Sequence, residues 1–458
     1  MEDELIQKLG HSDFHGKSTL HPVGVSLLLL FGFAMVVVPR RHAMIMILAC
    51  GSFMAVGQRL VIAGFDFNFM RLMVLFGWAR LILRQEFRGF RWNRMDLVFL
   101  LMSFMELISA TVTGGASGFT WRLGMLTESL GAYFMARILI RDLNDVRSLI
   151  YGLAVISVPV AFIFLIERST TRNLFAVFGG VPEITATRLG KLRCQGAYSH
   201  PILAGCYWAA IFPLIATQLF SKGFARSLSV VGMFSSLVII ACCASSTPIT
   251  GLLAGLVGLA MLPLRKWMAA VRWFVLLSMI VLHFVKKAPI WHLIARTDFV
   301  GGSTGWHRAH LIDEVIAHFN EWALFGVQNI EHWSVQGGDV CIQYALVVVR
   351  AGGLTLILFL LLIAMGFASV GRAWRRVERS PEDVFLLWAI GVSLFVHTVN
   401  FIGVGYFGQI DILWFIGIAL PSVLPSARNT ASSLNSTVAS RLHPRATQVS
   451  SVFHAGYR

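Results

Sequence analysis

The chain has 458 residues, of which 56% are hydrophobic and 13% are charged, and its mean hydropathy is +0.72. A soluble protein needs more polar surface than this to cover its apolar residues, so the composition excludes that class and indicates a polytopic membrane protein. The formal net charge of +15 would suggest nucleic acid in a soluble protein. Here the basic residues gather in short segments between apolar runs, so no nucleic-acid partner is expected.

Apolar runs long enough to cross a bilayer, about 20 residues each, recur along the chain. Since the first two are separated only by 39–42, we expect about 12 or 13 transmembrane helices. Residues 1–424 are therefore predicted to form a single all-α transmembrane domain without a soluble domain. The predicted runs are 23–39, 43–63, 68–84, 95–113, 122–140, 147–166, 201–220, 227–246, 248–264, 270–285, 343–368, 384–400 and 407–424.

Basic residues mark every second loop between these runs, at 40–41, 84–94, 137–147, 222–226, 265–272 and 372–379. Cytoplasmic loops of membrane proteins are rich in Lys and Arg, so the intervening loops are predicted to face the other side of the membrane. Two of these are long, 167–200 and 286–343, and both are expected to be periplasmic. Residues 425–458, rich in Ser, Thr and Arg, are predicted to be a disordered cytoplasmic tail.

The loop at 286–343 is predicted to contain an amphipathic helix. Its apolar residues recur at three- and four-residue spacing from Arg308 to Ala323, and its other face carries His310, Asp313, Glu314, His318 and Glu321. Ser303 or Thr304 can cap its start, and Gly326 can end it. Such a helix is too polar to cross a bilayer, so we expect it to lie on or just outside the membrane and to cover part of the protein.

Three cations, Arg188, Lys191 and Arg193, precede the run at 201–220 on the side that the positive-inside bias leaves poor in cations. Guanidinium groups bind phosphate oxygens in a bidentate way, so this cluster suits a phosphate, with interfacial snorkelling as the alternative. Arg308 lies at the start of the loop helix, where unpaired N–H groups favour anions, or it pairs with a loop carboxylate. If Arg193 and Arg308 converge, they form a diphosphate clamp.

His200, His332 and Asp339 are the candidate bases of these loops, because a hydroxyl nucleophile needs a nearby proton acceptor. Each of them can equally be structural. A further set, His310, Glu314 and His318, has a spacing that a metal would accept, but solvated helix faces commonly hold such residues. We therefore predict no metal site, and we expect no cofactor.

In chain order, several short motifs resemble the O-antigen ligase and polysaccharide polymerase family. The resemblance covers roughly residues 69–367 and rests on order and topology as much as on any one motif. Ser245-Ser246-Thr247-Pro248 is similar to a Ser-Ser-Gly-Pro element of the exopolysaccharide branch. The other motifs are Arg193-x-x-Gly196-x-x-x-His200-Pro201, Gly-x-x-Arg308, Phe325-Gly326-Val327, Gly338-Asp339 and Gly352-Gly353.

The resemblance implies a metal-independent glycosyltransferase of the bacterial inner membrane that polymerises or ligates undecaprenyl-diphosphate-linked oligosaccharide at the periplasmic face. By position, Arg193 and Arg308, with Arg188 and Lys191 beside them, would hold the diphosphate. A base in the long loop would assist attack by the acceptor hydroxyl. The expected partners are the lipid-linked oligosaccharide, membrane lipid, a flippase that supplies substrate and a chain-length regulator.

The chain departs from the family pattern at three places. Ligases carry a His where this chain has Gly338-Asp339-Val340, Arg350 replaces an acidic residue before the glycine pair, and Thr247-Pro248 stand where ligases have an Arg. These differences favour a polymerase over a lipid A ligase. They leave the base open between Asp339, His332 and His200.

Two other classes of protein fit the same sequence. A transporter or flippase of lipid-linked oligosaccharide would use Glu106 and Glu128, the carboxylates inside predicted spans, for proton coupling. A structural component of a polysaccharide assembly complex would need no activity of its own.

Overall fold

The computed structural model describes residues 17–62, 65–296, 305–335, 338–377 and 380–423. The predicted tail at 425–458 and the predicted helix caps Ser303 and Thr304 lie outside these ranges. Within them the protein is an all-α polytopic membrane protein, as the composition predicts. Seven helices are long and apolar enough to cross a membrane, and three further apolar helices are shorter.

The α-helices of the described residues are α1 Pro22–Val37, α2 Arg40–Phe53, α3 Phe69–Leu83, α4 Arg94–Leu139, α5 Leu143–Thr170, α6 Pro201–Ala216, α7 Phe224–Cys242, α8 Ser246–Ala260, α9 Met268–Val285, α10 Gly305–Ala317, α11 Phe319–Trp322, α12 Gln343–Arg376, α13 Pro381–Gly403 and α14 Gln409–Val423. Two antiparallel hairpins pair β1 Arg59–Ile62 with β2 Phe65–Asn68, and β3 Thr187–Arg188 with β4 Lys191–Leu192. Short 3₁₀ helices lie at Leu174–Phe178, Thr217–Phe220, Leu262–Trp267 and Ile290–Arg296.

The element α4 consists of two helices joined at Gly115, whose φ of 60° and ψ of −145° are not helical. Residues with a Cβ rarely adopt this backbone conformation, whereas glycine adopts it without steric cost. The two halves correspond to the predicted runs 95–113 and 122–140. The single turn at Gly115 is therefore the loop expected between them.

The second predicted run, 43–63, is only partly helical. Helix α2 ends at Phe53, and residues 59–62 turn back as β1, which pairs with β2 in the register Arg59 to Asn68. Polar residues explain the difference, because Arg59 Nη1 lies 2.6 Å from the Asp66 carboxylate and Gln58 donates to the Phe178 carbonyl at 2.6 Å. Polar side chains find hydrogen-bonding and ionic partners in such a hairpin, whereas on a lipid-facing helix they would lack them.

Helix α6 is at the centre of the bundle and is buried along almost its whole length. It packs against α7, α8 and α13. Small residues allow this close packing, since a Cβ on Gly205 would lie 2.5 Å from Pro248 of α8. The start of α6, at His200-Pro201, is consequently fixed relative to the starts and ends of its neighbours.

The basic loops meet at one end of the bundle. Arg40 lies 2.6 Å from the Asp145 carboxylate, and Arg147 pairs with Asp383 from the start of α13. These pairs join two of the predicted basic segments, 40–41 and 137–147, to each other and to the start of α13. We call the opposite end, which carries residues 171–200, 286–296, 305–335 and 338–342, the loop end.

The predicted amphipathic helix is present as α10 and α11, with a break at His318. Arg308, Leu311 and Trp322 are buried, as the periodicity predicts. Ile316 and Phe319, which belong to the same predicted apolar face, are exposed. Leu311 and Trp322 belong to a small core with Trp333 and Val348, so the loop helices cover the start of α12. Gly326 follows with a φ of 80°, and its N–H donates to the Trp322 carbonyl at 3.1 Å.

Candidate functional site: a cation cluster at the loop end

Arg308 is buried, with 6% of the residue exposed. Its Nε donates to the Gly403 carbonyl at 2.9 Å, and Nη2 lies 3.3 Å from the Thr247 hydroxyl. Both acceptors are neutral, and no carboxylate of the described residues forms a salt bridge with Arg308. Its positive charge is therefore not neutralised by direct pairing within the described part of the chain.

Burial lowers the pKa of Arg308 from its ordinary value. The nearby positive charge of Arg188 lowers this pKa further, and the carboxylate of Asp339 acts in the opposite direction. Removal from water disfavours the charged form, and a bound anion would favour it again. Arg308 is thus a cation in an environment suited to an anionic ligand.

Glycine and threonine at the bundle end position Arg308. Gly403 ends α13, and a Cβ there would lie 2.6 Å from the Thr247 methyl carbon. Only glycine allows α13 and the first turn of α8 to approach this closely. The Thr247-Pro248 pair, which departs from the ligase pattern, supplies the hydroxyl that contacts Arg308.

Arg193 follows the hairpin of β3 and β4, and its N–H donates to the Ala186 carbonyl at 2.8 Å. The hairpin turns through Leu189 and Gly190, whose φ values are 48° and 74°. The Nε of Arg193 is buried and has no hydrogen-bond partner in the described part of the chain. Burial and, after it, the charge of Arg188 lower the pKa of Arg193 to about 10.

Arg193 and Arg308 both lie beside the turn between α7 and α8. Cys194 donates to the carbonyl of Cys242, the last residue of α7, at 3.0 Å, so the Arg193 segment is fixed beside the turn that leads to Thr247. The charge of Arg188 affects the pKa of both other arginines. Lys191, on the same hairpin, is exposed. Arg193 and Arg308 are therefore each connected electrostatically to Arg188.

Glu167 is a buried residue that sequence reasoning missed. Its carboxylate accepts hydrogen bonds from the Gln195 N–H at 3.1 Å and the Gly196 N–H at 2.8 Å. It thereby fixes the backbone just after Arg193. Gly196 has a φ of 55°, and a Cβ there would lie 2.6 Å from the Phe164 ring, so this glycine is needed for packing.

Among the predicted bases, Asp339 lies close enough to Arg308 to affect its pKa. The backbone carbonyl of Asp339 is 3.3 Å from His307 Nε2. Potential ligand atoms of His307, Asp339 and Cys341 all lie within 4.8 Å of one another. Sequence reasoning missed His307, although its position directly before Arg308 could have indicated it. These side chains can move a proton, and their types can also ligate a metal.

The other two predicted bases are engaged elsewhere. His200 caps α6, since its Nδ1 accepts from the Ile202 N–H at 3.1 Å. His332 Nε2 lies 2.8 Å from Glu321, to which the Trp333 indole also donates, and this indole is the main reason that the pKa of Glu321 is lowered. Arg308 lies in the first turn of α10, whereas Glu321 and His332 come after the end of this helix in the sequence.

His310, Glu314 and His318, whose spacing in the sequence a metal would accept, are not placed so that they could hold one together. His310 Nε2 lies 3.7 Å from Glu314 but contacts the Ser334 carbonyl at 3.0 Å. The second set of residues that could do so, within the described ranges, is His318, Glu321 and His332.

Glu128 and Glu106, the carboxylates that a transporter would use, are each paired with an arginine. Glu128 accepts from Arg71 at 2.6 Å and from Asn68 at 2.9 Å. Glu106 lies 3.4 Å from Arg122. Each carboxylate thus has a counter-ion within the helix bundle.

A comparison with protein-family models finds no match to this chain, and a comparison with curated proteins finds none either. The family resemblance therefore rests on the motifs and their order. It remains a prediction.

Proposed function

We propose that this chain is a glycosyltransferase that polymerises or ligates undecaprenyl-diphosphate-linked oligosaccharide. The observation that supports this function best is that Arg193 and Arg308 both interact electrostatically with Arg188. They come from two different loops, burial lowers the pKa of each, and the charge of Arg188 lowers both pKa values further. An array of guanidinium groups with few direct counter-ions suits a diphosphate, which offers several acceptor oxygens to bidentate donors.

In the proposed reaction the acceptor sugar hydroxyl attacks the anomeric carbon of the donor. The bond between that carbon and the diphosphate oxygen breaks, and its electron pair leaves with the diphosphate. Arg193 and Arg308 stabilise the charge that develops on this leaving group. Fixed charges in a site poor in water are the most effective means of such stabilisation.

Asp339 is the base that we favour, because it is the predicted base whose charge reaches Arg308. It would take the proton of the acceptor hydroxyl as the new glycosidic bond forms. His307 lies next to it and is the alternative. His332 and His200 are assigned to structural roles in this proposal.

The proposed location is the bacterial inner membrane, with the loop end in the periplasm and the C-terminus in the cytoplasm. The ion-paired basic segments then face the cytoplasm, in accordance with the positive-inside rule. A lipid-linked substrate would present its diphosphate at the membrane surface, near the arginines. Within this proposal, a flippase supplies the substrate and a chain-length regulator is a partner.

The test is complementation of cells that lack this protein with the wild type, Arg193→Ala, Arg308→Ala or Arg172→Ala. Arg172 is the matched control, because it lies on the same loop end in an exposed ion pair with Glu183. We expect both site variants to lose polymer and to accumulate single lipid-linked repeat units, while the control makes normal polymer. Immunoblots of membranes check that each variant inserts, and normal polymer from both site variants would refute the proposal.

A flippase or transporter is the second candidate function, and the Arg71–Glu128 and Arg122–Glu106 pairs favour it. Buried ionisable pairs among membrane helices often mark transport pathways. The same complementation separates the two candidates. Lipid-linked units trapped on the cytoplasmic face would support transport, whereas units on the periplasmic face would support transfer.

A further inference from the structure

A cavity of about 360 Å³, lined by polar and apolar residues, lies at the loop end between the turn of α4, the start of α12 and the segment after α11. Its lining includes Trp121, Arg122, Gln328 and Arg350. The volume lies within the range of small-molecule sites. The polymerisation site proposed above uses none of these residues.

The arginines of this cavity have unused hydrogen-bonding capacity. Arg122 is 8% exposed, and its Nε is buried without a hydrogen-bond partner in the described residues. Arg350 forms no salt bridge with the described residues. The guanidinium carbon of each arginine lies 5.7 Å from the centre of the Trp121 ring, so one indole orients both groups.

Thr113, Ser117 and Gln328, which also line the cavity, can form hydrogen bonds with the hydroxyl groups of a ligand. Thr113 donates to the Ser109 carbonyl at 2.9 Å and Ser117 donates to the Gly114 carbonyl at 2.8 Å, which leaves both hydroxyl oxygens as acceptors. The Gln328 amide nitrogen would be 3.9 Å from a Cβ on Gly114, so the absence of that Cβ keeps space open beside the amide.

The carboxylates near this cavity lie behind its wall. Glu106 is 3.4 Å from Arg122, and Asp411 interacts electrostatically with both arginines. Neither carboxylate is among the lining residues. Among the residues that the structure describes, the charged groups that line the cavity are therefore the two arginines.

We infer that this cavity binds an acidic sugar residue, with its carboxylate between Arg122 and Arg350 and its hydroxyls at Gln328, Thr113 and Ser117. Two guanidinium groups bind a carboxylate through charge-assisted hydrogen bonds, and the amide and hydroxyl groups complement a polyol. The inference rests on the proposed function, to which it adds the class of sugar in the glycan. It also gives a role to Arg350, which replaces the acidic residue expected there from the family resemblance.

The experiment uses the full-length protein in phosphatidylcholine nanodiscs and measures binding by isothermal titration calorimetry. The probes are a disaccharide containing glucuronic acid and the same disaccharide with its carboxyl group reduced to an alcohol. We expect the acidic form to bind about tenfold to a hundredfold more tightly, the range that hydrogen bonds to a charged group give. Equal affinity for the two probes would overturn the inference.

Arg350→Gln tests the site with little risk to folding, since Arg350 is exposed. This variant should lose the preference for the acidic probe, Arg350→Lys should keep part of it, and the control Arg172→Gln should keep all of it. A full preference in Arg350→Gln would place the binding elsewhere. Inorganic phosphate or phosphatidylglycerol nanodiscs that displace the acidic probe equally well would indicate a headgroup site and overturn the sugar assignment.

The variant Arg308→Ala separates this inference from the proposed function. If the function is correct and only the sugar assignment fails, Arg308→Ala abolishes polymer but the wild type does not distinguish the two probes. If only the function fails, the wild type prefers the acidic probe and Arg308→Ala still makes polymer.

Discussion

The Nε of Arg308 donates a hydrogen bond to the carbonyl of Gly403, 2.9 Å away, and this bond connects the long loop to the end of α13. The contact requires a glycine, because a Cβ at position 403 would lie 2.6 Å from the Thr247 methyl carbon. A residue from the loop and two helix ends therefore form one unit. The geometry of the proposed diphosphate site depends on this unit.

Gly403→Ala should disturb this unit without preventing membrane insertion. The added methyl group must displace Thr247 or the Gly403 carbonyl, and overpacking of this kind costs about 1–3 kcal/mol. We expect transfer activity to fall about tenfold, which corresponds to a rise of about 1.4 kcal/mol in the activation free energy when Arg308 is displaced. The measurement is polymer yield in membranes with equal protein content.

Gly371→Ala in α12 is the matched control, since a Cβ at this position would meet nothing within 4 Å. Alanine should be tolerated or slightly stabilising there. Equal activity of the two alanine variants would show that the contact at Gly403 is unimportant for transfer.

Thr247→Val should weaken the site through the loss of one hydroxyl. Valine keeps the volume of threonine but cannot accept the hydrogen bond from Arg308 Nη2, at 3.3 Å in the native protein. Hydrogen bonds to charged groups contribute about 1.5–3 kcal/mol, although the length of this one places the expected effect at the lower end, about tenfold in activity.

Thr247→Ser is the control for this prediction, because serine restores the hydroxyl and lacks the methyl group. It should retain most of the transfer activity, measured in the same membranes. If serine and valine behave alike, packing of the methyl group matters and the hydroxyl does not.

The sequence predicts the helices and the burial of Arg308 well, for a physical reason. Runs of about 20 apolar residues have few alternatives to a membrane helix, and the position of Arg308 in the periodicity of α10 determines its face. The hairpin at 59–68 is less predictable, because Val61 and Ile62 continue the apolar run that begins in α2. The helix ends before them, and Gln58 instead donates to the carbonyl of Phe178, which is distant in sequence.

The sequence does not distinguish the bases. His332 and Asp339 are neighbours in the same loop, and their separation follows from the fold, which brings Asp339 towards Arg308 and pairs His332 with Glu321. His200 is a helix cap, a role that its position directly before Pro201 could have indicated. The contact between His307 and the Asp339 carbonyl follows from the fold, although the position of His307 directly before Arg308 is visible in the sequence.

Asp339→Asn should lower the turnover number of transfer about 10²- to 10⁴-fold, the usual contribution of a general base. The substrate should still bind, because the arginines are unchanged, so KM should change little. The measurement is transfer kinetics in nanodiscs with a lipid-linked oligosaccharide.

His332→Ala is the comparison, since His332 contacts Glu321 and is half exposed. We expect its turnover number to remain close to that of the wild type. A normal turnover number in Asp339→Asn, together with a large loss in His307→Ala, would transfer the role of the base to His307.

Glu128→Gln separates stability from activity at the buried ion pair. The carboxylate of Glu128 lies 2.6 Å from Arg71 Nε, and both side chains are mostly buried. Removal of one partner of a buried pair leaves an uncompensated charge and costs about 3–5 kcal/mol. We therefore expect a clear fall in the thermal unfolding temperature in detergent, with transfer activity per folded molecule unchanged.

Arg172→Gln, which removes an exposed pair, should leave this temperature unchanged because such pairs contribute little. A normal unfolding temperature combined with lipid-linked units trapped on the cytoplasmic face of the membrane would instead give Glu128 a role in transport. A proton-coupling carboxylate is needed to move the substrate across the membrane.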